Sequence, residues 1–167
     1  MPETFRAIRY LAPDPAASCW DVLVLKSDER RVRRRRLELV HGDFVLVDFP
    51  ETIDLEDNGR LELEDGRFVG ISAAEELLYE IRAKDPVHLM QLCWHLGNRH
   101  TPTQIAREWD GLGQRILIRR DHVLRRMLEQ LGATVTEISE PFSPVAGAYH
   151  GHGEHDHGDK SHALLNR

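Results

Sequence analysis

Apolar and polar residues alternate along most of the first 72 positions. Phe5 to Tyr10, Trp20 to Leu25, Val32 to Val40 and Phe44 to Phe49 carry β-branched, aromatic and aliphatic side chains at the two-residue period of a strand with one wet face. Polar turns separate these runs. His41-Gly42-Asp43 stands between the third and the fourth, and Glu64-Asp65-Gly66 precedes Arg67-Phe68-Val69. Glu56-Asp57-Asn58-Gly59 supplies an Asn-Gly hairpin signal ahead of Arg60-Leu61-Glu62-Leu63. No helical period interrupts the pattern, so residues 1–72 are expected to form a small all-β domain.

After Ser72 the pattern changes. Leu77 to Ala83 reads as a strand, and Asp85-Pro86 then opens a helix, with Asp85 as N-cap and Pro86 at the first helical position. Val87, Met90, Cys93 and Trp94 recur at helical spacing, with Leu89, Leu92 and Leu96 widening the apolar face, and Gly97-Asn98 reads as the stop. Thr103 to Trp109 is a candidate strand, Asp110-Gly111-Leu112-Gly113 a turn, and Gln114 to Arg119 an alternating strand. Asp121 caps a second predicted helix, in which Leu124, Met127, Leu128 and Leu131 fall at i, i+3, i+4 and i+7. Gly132 ends it, and Ala133 to Ile138 forms a last strand. Strand, helix, strand, strand, helix, strand is the order of a ferredoxin-like βαββαβ domain, expected over residues 73–142. The whole chain is therefore expected to be α+β.

Residues 143–167 have no apolar period. A glycine-rich polar stretch buries too little surface to offset its ordering entropy, so a flexible tail is expected there. That tail holds His150, His152, His155, His157 and His162, interleaved with Glu154, Asp156 and Asp159. Neutral imidazole is a good ligand for nickel, zinc and cupric copper, and a flexible chain can wrap several rings around one ion. Engineered tags are usually uninterrupted histidine runs, whereas here glycine and acids interleave, so metal binding is favoured over the alternative of a tag or idle tail. Imidazoles must shed their protons to bind, so capture by such a tail should weaken as pH falls through the histidine range near ~6.5.

Composition narrows the alternatives. The chain has 167 residues, a net charge of -6, 30% charged and 41% hydrophobic residues, and no apolar run long enough for a membrane helix. No secretory signal is read at the N-terminus, so a cytoplasmic location is expected. Cys19 and Cys93 stand far apart, which argues against a disulfide framework or a thiolate zinc site. Arg30-Arg31-Val32-Arg33-Arg34-Arg35-Arg36 is the one feature that suggests a phosphate patch. Residues 1–72 nevertheless hold eleven basic and fifteen acidic side chains, so a solvated strand with arginines paired to nearby acids is the reading, and no nucleic-acid partner is expected. A metal-dependent hydrolase would need preorganised ligands and a general base, and no H-E-x-x-H, acidic cluster beside paired histidines or nucleophile elbow occurs. The chain is not expected to be an enzyme.

Among the histidines of the predicted domains, His88, His41 and His122 read as structural or surface residues and His95 stays open. His100 differs, because it follows the helix stop in a short loop before Pro102, where rigid scaffolds often carry function.

Leu92-Cys93-Trp94-His95-Leu96-Gly97-Asn98-Arg99-His100-Thr101-Pro102-Thr103-Gln104 resembles the UreE family of urease accessory metallochaperones. So do Arg120 to Ala133, Leu78-Tyr79-Glu80-Ile81, and Pro141-Phe142 with Gly147-Ala148-Tyr149. The resemblance is specific across residues 77 to 149 and rests on layout before that. It implies an N-terminal β domain with a peptide-binding look, then a ferredoxin-like metal-binding domain. It implies a homodimer in which His100 meets its twin across the two-fold axis, so that one histidine per chain supplies two ligands to one Ni2+, with tail histidines filling the open positions. Zn2+ or Cu2+ should bind too. The implied partners are a urease accessory GTPase and the urease apoprotein complex. Some members carry further histidines on the strand after the glycine-rich turn; here Gln114-Arg115-Ile116-Leu117-Ile118 has none. A passive His-rich nickel or zinc store remains the alternative.

Overall fold

The computed structural model describes residues 1–107 and 113–145. Among the described residues, ten strands and two helices follow in the order β1 (Thr4–Leu11), β2 (Asp21–Leu25), β3 (Arg31–Glu38), β4 (Phe44–Asp54), β5 (Arg60–Leu63), β6 (Phe68–Ala73), β7 (Glu75–Arg82), α1 (Pro86–Asn98), β8 (Gln104–Arg107), β9 (Gln114–Arg119), α2 (His122–Gln130) and β10 (Thr134–Pro141). The result is a mixed fold in which a strand-rich first half is followed by a second sheet with two helices.

The first sheet runs β2-β6-β5-β1-β4-β3, with β1 parallel to β4 and β2 parallel to β6. It curls: the Val40 N–H donates to Val22 O at 3.0 Å, tying the chain just beyond one edge strand to the other edge. Alternation sends Leu23, Leu25, Val45, Val47, Leu61, Leu63, Val69 and Ile71 into one core. Gly42 and Gly66 take positive φ in the β3–β4 and β5–β6 turns, as the glycine signals there require. The Asn-Gly signal behaves differently. Glu56–Gly59 does turn, with the Gly59 N–H on Glu56 O at 3.0 Å, but β4 and β5 do not pair, because β1 lies between them. Gly59 is required for another reason: a Cβ there would fall 2.7 Å from the Tyr10 ring.

The arginine run is mostly a solvated edge. On β3, Arg34 pairs with Asp48 at 2.7 Å, Arg35 approaches Glu29 at 3.8 Å, and Arg36 lies 3.6 Å from the Phe44 ring centroid. Charged side chains on an edge strand also discourage edge-to-edge pairing. Arg30 is the exception. It is buried and donates to Phe142 O, joining the first half of the fold to the second. Ser27 donates to Glu76 from its N–H and its hydroxyl, and Arg119 reaches Asp28 at 3.2 Å.

Ala74 alone separates β6 in the first sheet from β7 in the second. The second sheet is antiparallel throughout, in the order β10-β7-β9-β8. Tyr79, Ile81, Ile116 and Ile118 pack from one face against Leu92 and Leu96 of α1 and Leu128 of α2. Leu78 and Leu117, on the other face, are covered by Phe142. Here the structure corrects the expected face of α1. Leu92 and Leu96 are buried and Leu89 and Cys93 half-buried, whereas Val87, Met90 and Trp94 are 60%, 63% and 65% exposed. Apolar residues lie nearly all round this helix, so period alone does not choose the stripe that meets the sheet. Among the described residues, no helix is long and apolar enough to cross a membrane.

Candidate metal centre

Helix α1 begins where the sequence places its cap. The Asp85 carboxylate accepts the His88 N–H at 2.8 Å, and Pro86 occupies the first turn, where its missing N–H loses nothing. Its end differs from the expected stop. Gly97 and Asn98 are still helical, and the residue that turns the chain is His100, at φ 52°. The His100 N–H donates to Gly97 O at 2.9 Å and the Thr101 N–H to Leu96 O at 3.2 Å. These two bonds form a Schellman motif, whose left-handed position glycine usually fills. A side chain there carries strain of about 1 kcal/mol, and such strain gathers at functional positions.

The consequence is an exposed imidazole on a rigid corner. His100 lies at the rim of a cleft of about 1190 Å³ between the two halves of the fold. Cys93, Gly97, Thr101 and Pro102 line it beside His100, and Asp28, Arg30, Asp54, Glu56 and Asp57 face it from the first half. Burial pushes the Cys93 thiol up, so its free thiolate is disfavoured. His100 also borders a smaller recess with Arg99, Arg119, Arg120 and Asp121. There the Asp121 carboxylate is held below its usual range by the N–H groups of Leu124 and Val123.

Beyond β10 the chain returns to this corner. The Ser143 N–H donates to Gln104 Oε1 at 2.7 Å and the Val145 N–H to Thr103 O at 2.8 Å. Thr103, Val145 and His100 line the same cleft. The five tail candidates, His150, His152, His155, His157 and His162, lie outside the described residues, as does the turn from Asp110 to Leu112. Among the described residues no three histidine, cysteine, aspartate or glutamate side chains converge as a metal cage.

The other histidines separate clearly. His88 is buried: its Nδ1 accepts the Lys84 N–H at 3.0 Å, and its Nε2 lies 2.9 Å from Leu131 O, to which it donates. His95 is half-buried, edge-on to Trp94 at 5.3 Å. His122 is exposed at the start of α2. His41, read from sequence as unremarkable, sits 2.9 Å from a buried aspartate, Asp21, a pairing between residues twenty apart that no local signal announces. Elsewhere on the second sheet, Arg115 is held above the ordinary guanidinium value by its bonds to Glu140 and then Glu80, which tie β9 to its neighbour β7 and, across it, to β10.

Two family models match the chain: the N-terminal domain of the UreE urease accessory protein over residues 5–74, and its C-terminal domain over residues 76–164. A urease accessory protein UreE from Mesorhizobium japonicum is 53% identical over 148 residues, covering 87% of this chain and 72% of the relative. One from Rhizobium rhizogenes is 48% identical, covering 91% and 88%, and one from Rhizobium meliloti 47%, covering 92% and 96%.

Proposed function

The chain belongs to the UreE family of urease accessory proteins, an assistant to urease rather than an enzyme itself, and from that premise we propose that it is a nickel metallochaperone. It captures Ni2+ and hands it to the urease maturation complex. The observation that carries this reading is His100: an exposed imidazole on a strained helix terminus, at the rim of a cleft, with too few ligating neighbours among the described residues to hold an ion alone.

The missing ligands come from a second copy and from the tail. The exposed stripe Val87, Met90 and Trp94 runs along α1 towards Gly97 and His100. At Gly97 a Cβ would meet nothing within 4 Å, leaving room for another backbone to approach. Docking this stripe on its own twin brings the two His100 rings towards one axis, so the homodimer completes what the monomer lacks. His150 lies five residues beyond Val145, a span of at most about 18 Å, so tail histidines can reach the same ion. The second sheet, antiparallel in the order β10-β7-β9-β8 with α1 and α2 on one face, supports the ferredoxin-like reading of residues 73–142, and the division at residues 72 and 73 goes with it. Cytoplasmic residence, a urease-maturation GTPase as acceptor, and binding of Zn2+ or Cu2+ belong to the same reading.

A reconstituted maturation assay with limiting nickel tests delivery. Native protein should raise the fraction of activated urease and His100→Ala should not, while a passive store would retain nickel and activate nothing. Equal activation by native protein and His100→Ala contradicts the proposal.

A further inference from the structure

Asp21 begins β2 with its side chain 1% exposed, and His41 stands over it from the β3–β4 turn with its ring 77% exposed. The turn is fixed on both sides: the Gly42 N–H donates to Leu39 O, the Leu39 N–H to Asp43 O, and the Val40 N–H to Val22 O. Asp21 Oδ1 accepts the Val22 N–H at 2.7 Å and lies 2.9 Å from His41 Nδ1. A carboxylate has only acceptors to offer, so Nδ1 carries the proton, and in the neutral ring Nε2 keeps its lone pair. Asp21 Oδ2 is buried with no partner among the described residues.

That is the arrangement of a metal-ligating histidine with its supporting carboxylate. A buried carboxylate with one oxygen unmatched is costly on its own. A cation on Nε2 would strengthen the Nδ1–H bond to Oδ1 and so steady the buried negative charge, leaving Oδ2 as it is. We propose that His41 is a second metal-contact point, separate from His100 and carried by the first sheet. It presents Nε2 to a divalent transition ion that favours imidazole, such as nickel, zinc or cupric copper. Asp21 is its positioning residue. Asp43 takes the Glu3 N–H on its Oδ1 at 2.9 Å, and no three ligating side chains converge among the described residues, so His41 supplies one ligand and water or a second molecule supplies the rest.

The test is long-range 1H–15N spectroscopy of the imidazoles in the full chain, titrated with Zn2+ beyond saturation of the tighter histidines. His41 should show a protonated Nδ1 and a bare Nε2 before zinc, and its Nε2 should respond at lower zinc than that of the exposed His122. Asp21→Asn should weaken the His41 response about tenfold to a hundredfold and leave His122 unchanged. If His41 in the native chain binds no more tightly than His122, or if Asp21→Asn leaves it unaltered, the proposal is wrong. The comparison within the native chain does not depend on a variant that folds.

Discussion

The two ends of α1 each carry a histidine and treat it in opposite ways. At the start, His88 is buried and both ring nitrogens are engaged, one by the Lys84 N–H and one by Leu131 O. At the end, His100 is exposed, its ring makes no hydrogen bond among the described residues, and its backbone is held left-handed. Residue type is the same, so environment decides the role. Satisfied nitrogens make His88 part of the fold, and open ones make His100 available to an ion.

The comparison breaks most visibly at the buried end. His88→Ala should destabilise the protein by about 2–3 kcal/mol, from a cavity and from leaving Lys84 N–H and Leu131 O unmatched, read as a lower urea midpoint with unchanged slope. His100→Gly should do the reverse on the same assay, raising stability by about 1 kcal/mol as the strain is relieved, while removing nickel binding at the shared site. Asp85→Ala, which unties the His88 N–H, should cost about 1 kcal/mol. The smallest effect is a pH dependence. Asp121 has its carboxyl lowered from 3.8 by the Leu124 and Val123 N–H groups, so its stabilising effect is complete above that pH and is lost as acidification passes through the lowered value. Urea midpoints measured between pH 6 and pH 3 should fall less in Asp121→Asn than in the native chain.

Much of this was legible from the residues. Asp85-Pro86 and Asp121 announced their helices because capping chemistry is local, and Gln114 to Arg119 emerged as the strand its alternation describes. Partner choice was not legible. Asn58-Gly59 encodes a turn but not which strand lies beside β5, and β1 took that place. The buried stripe of α1 was hidden because seven of the ten positions from Val87 to Leu96 are apolar, so the sheet chooses between Leu92-Leu96 and Met90-Trp94. His100 was singled out by its place after the helix stop and by family motif. Its left-handed backbone was not, since the glycine that usually marks that position lies three residues earlier.

The most direct test is nickel titration calorimetry with light scattering on the full chain, on His100→Ala, and on a chain with all five tail histidines replaced by alanine. The account predicts a dimer that binds one tight ion per two chains through His100, lost in His100→Ala while the dimer persists, and weakened but present without the tail histidines. Tight binding that survives His100→Ala and disappears only with the tail histidines would contradict it, and would make this protein a nickel store.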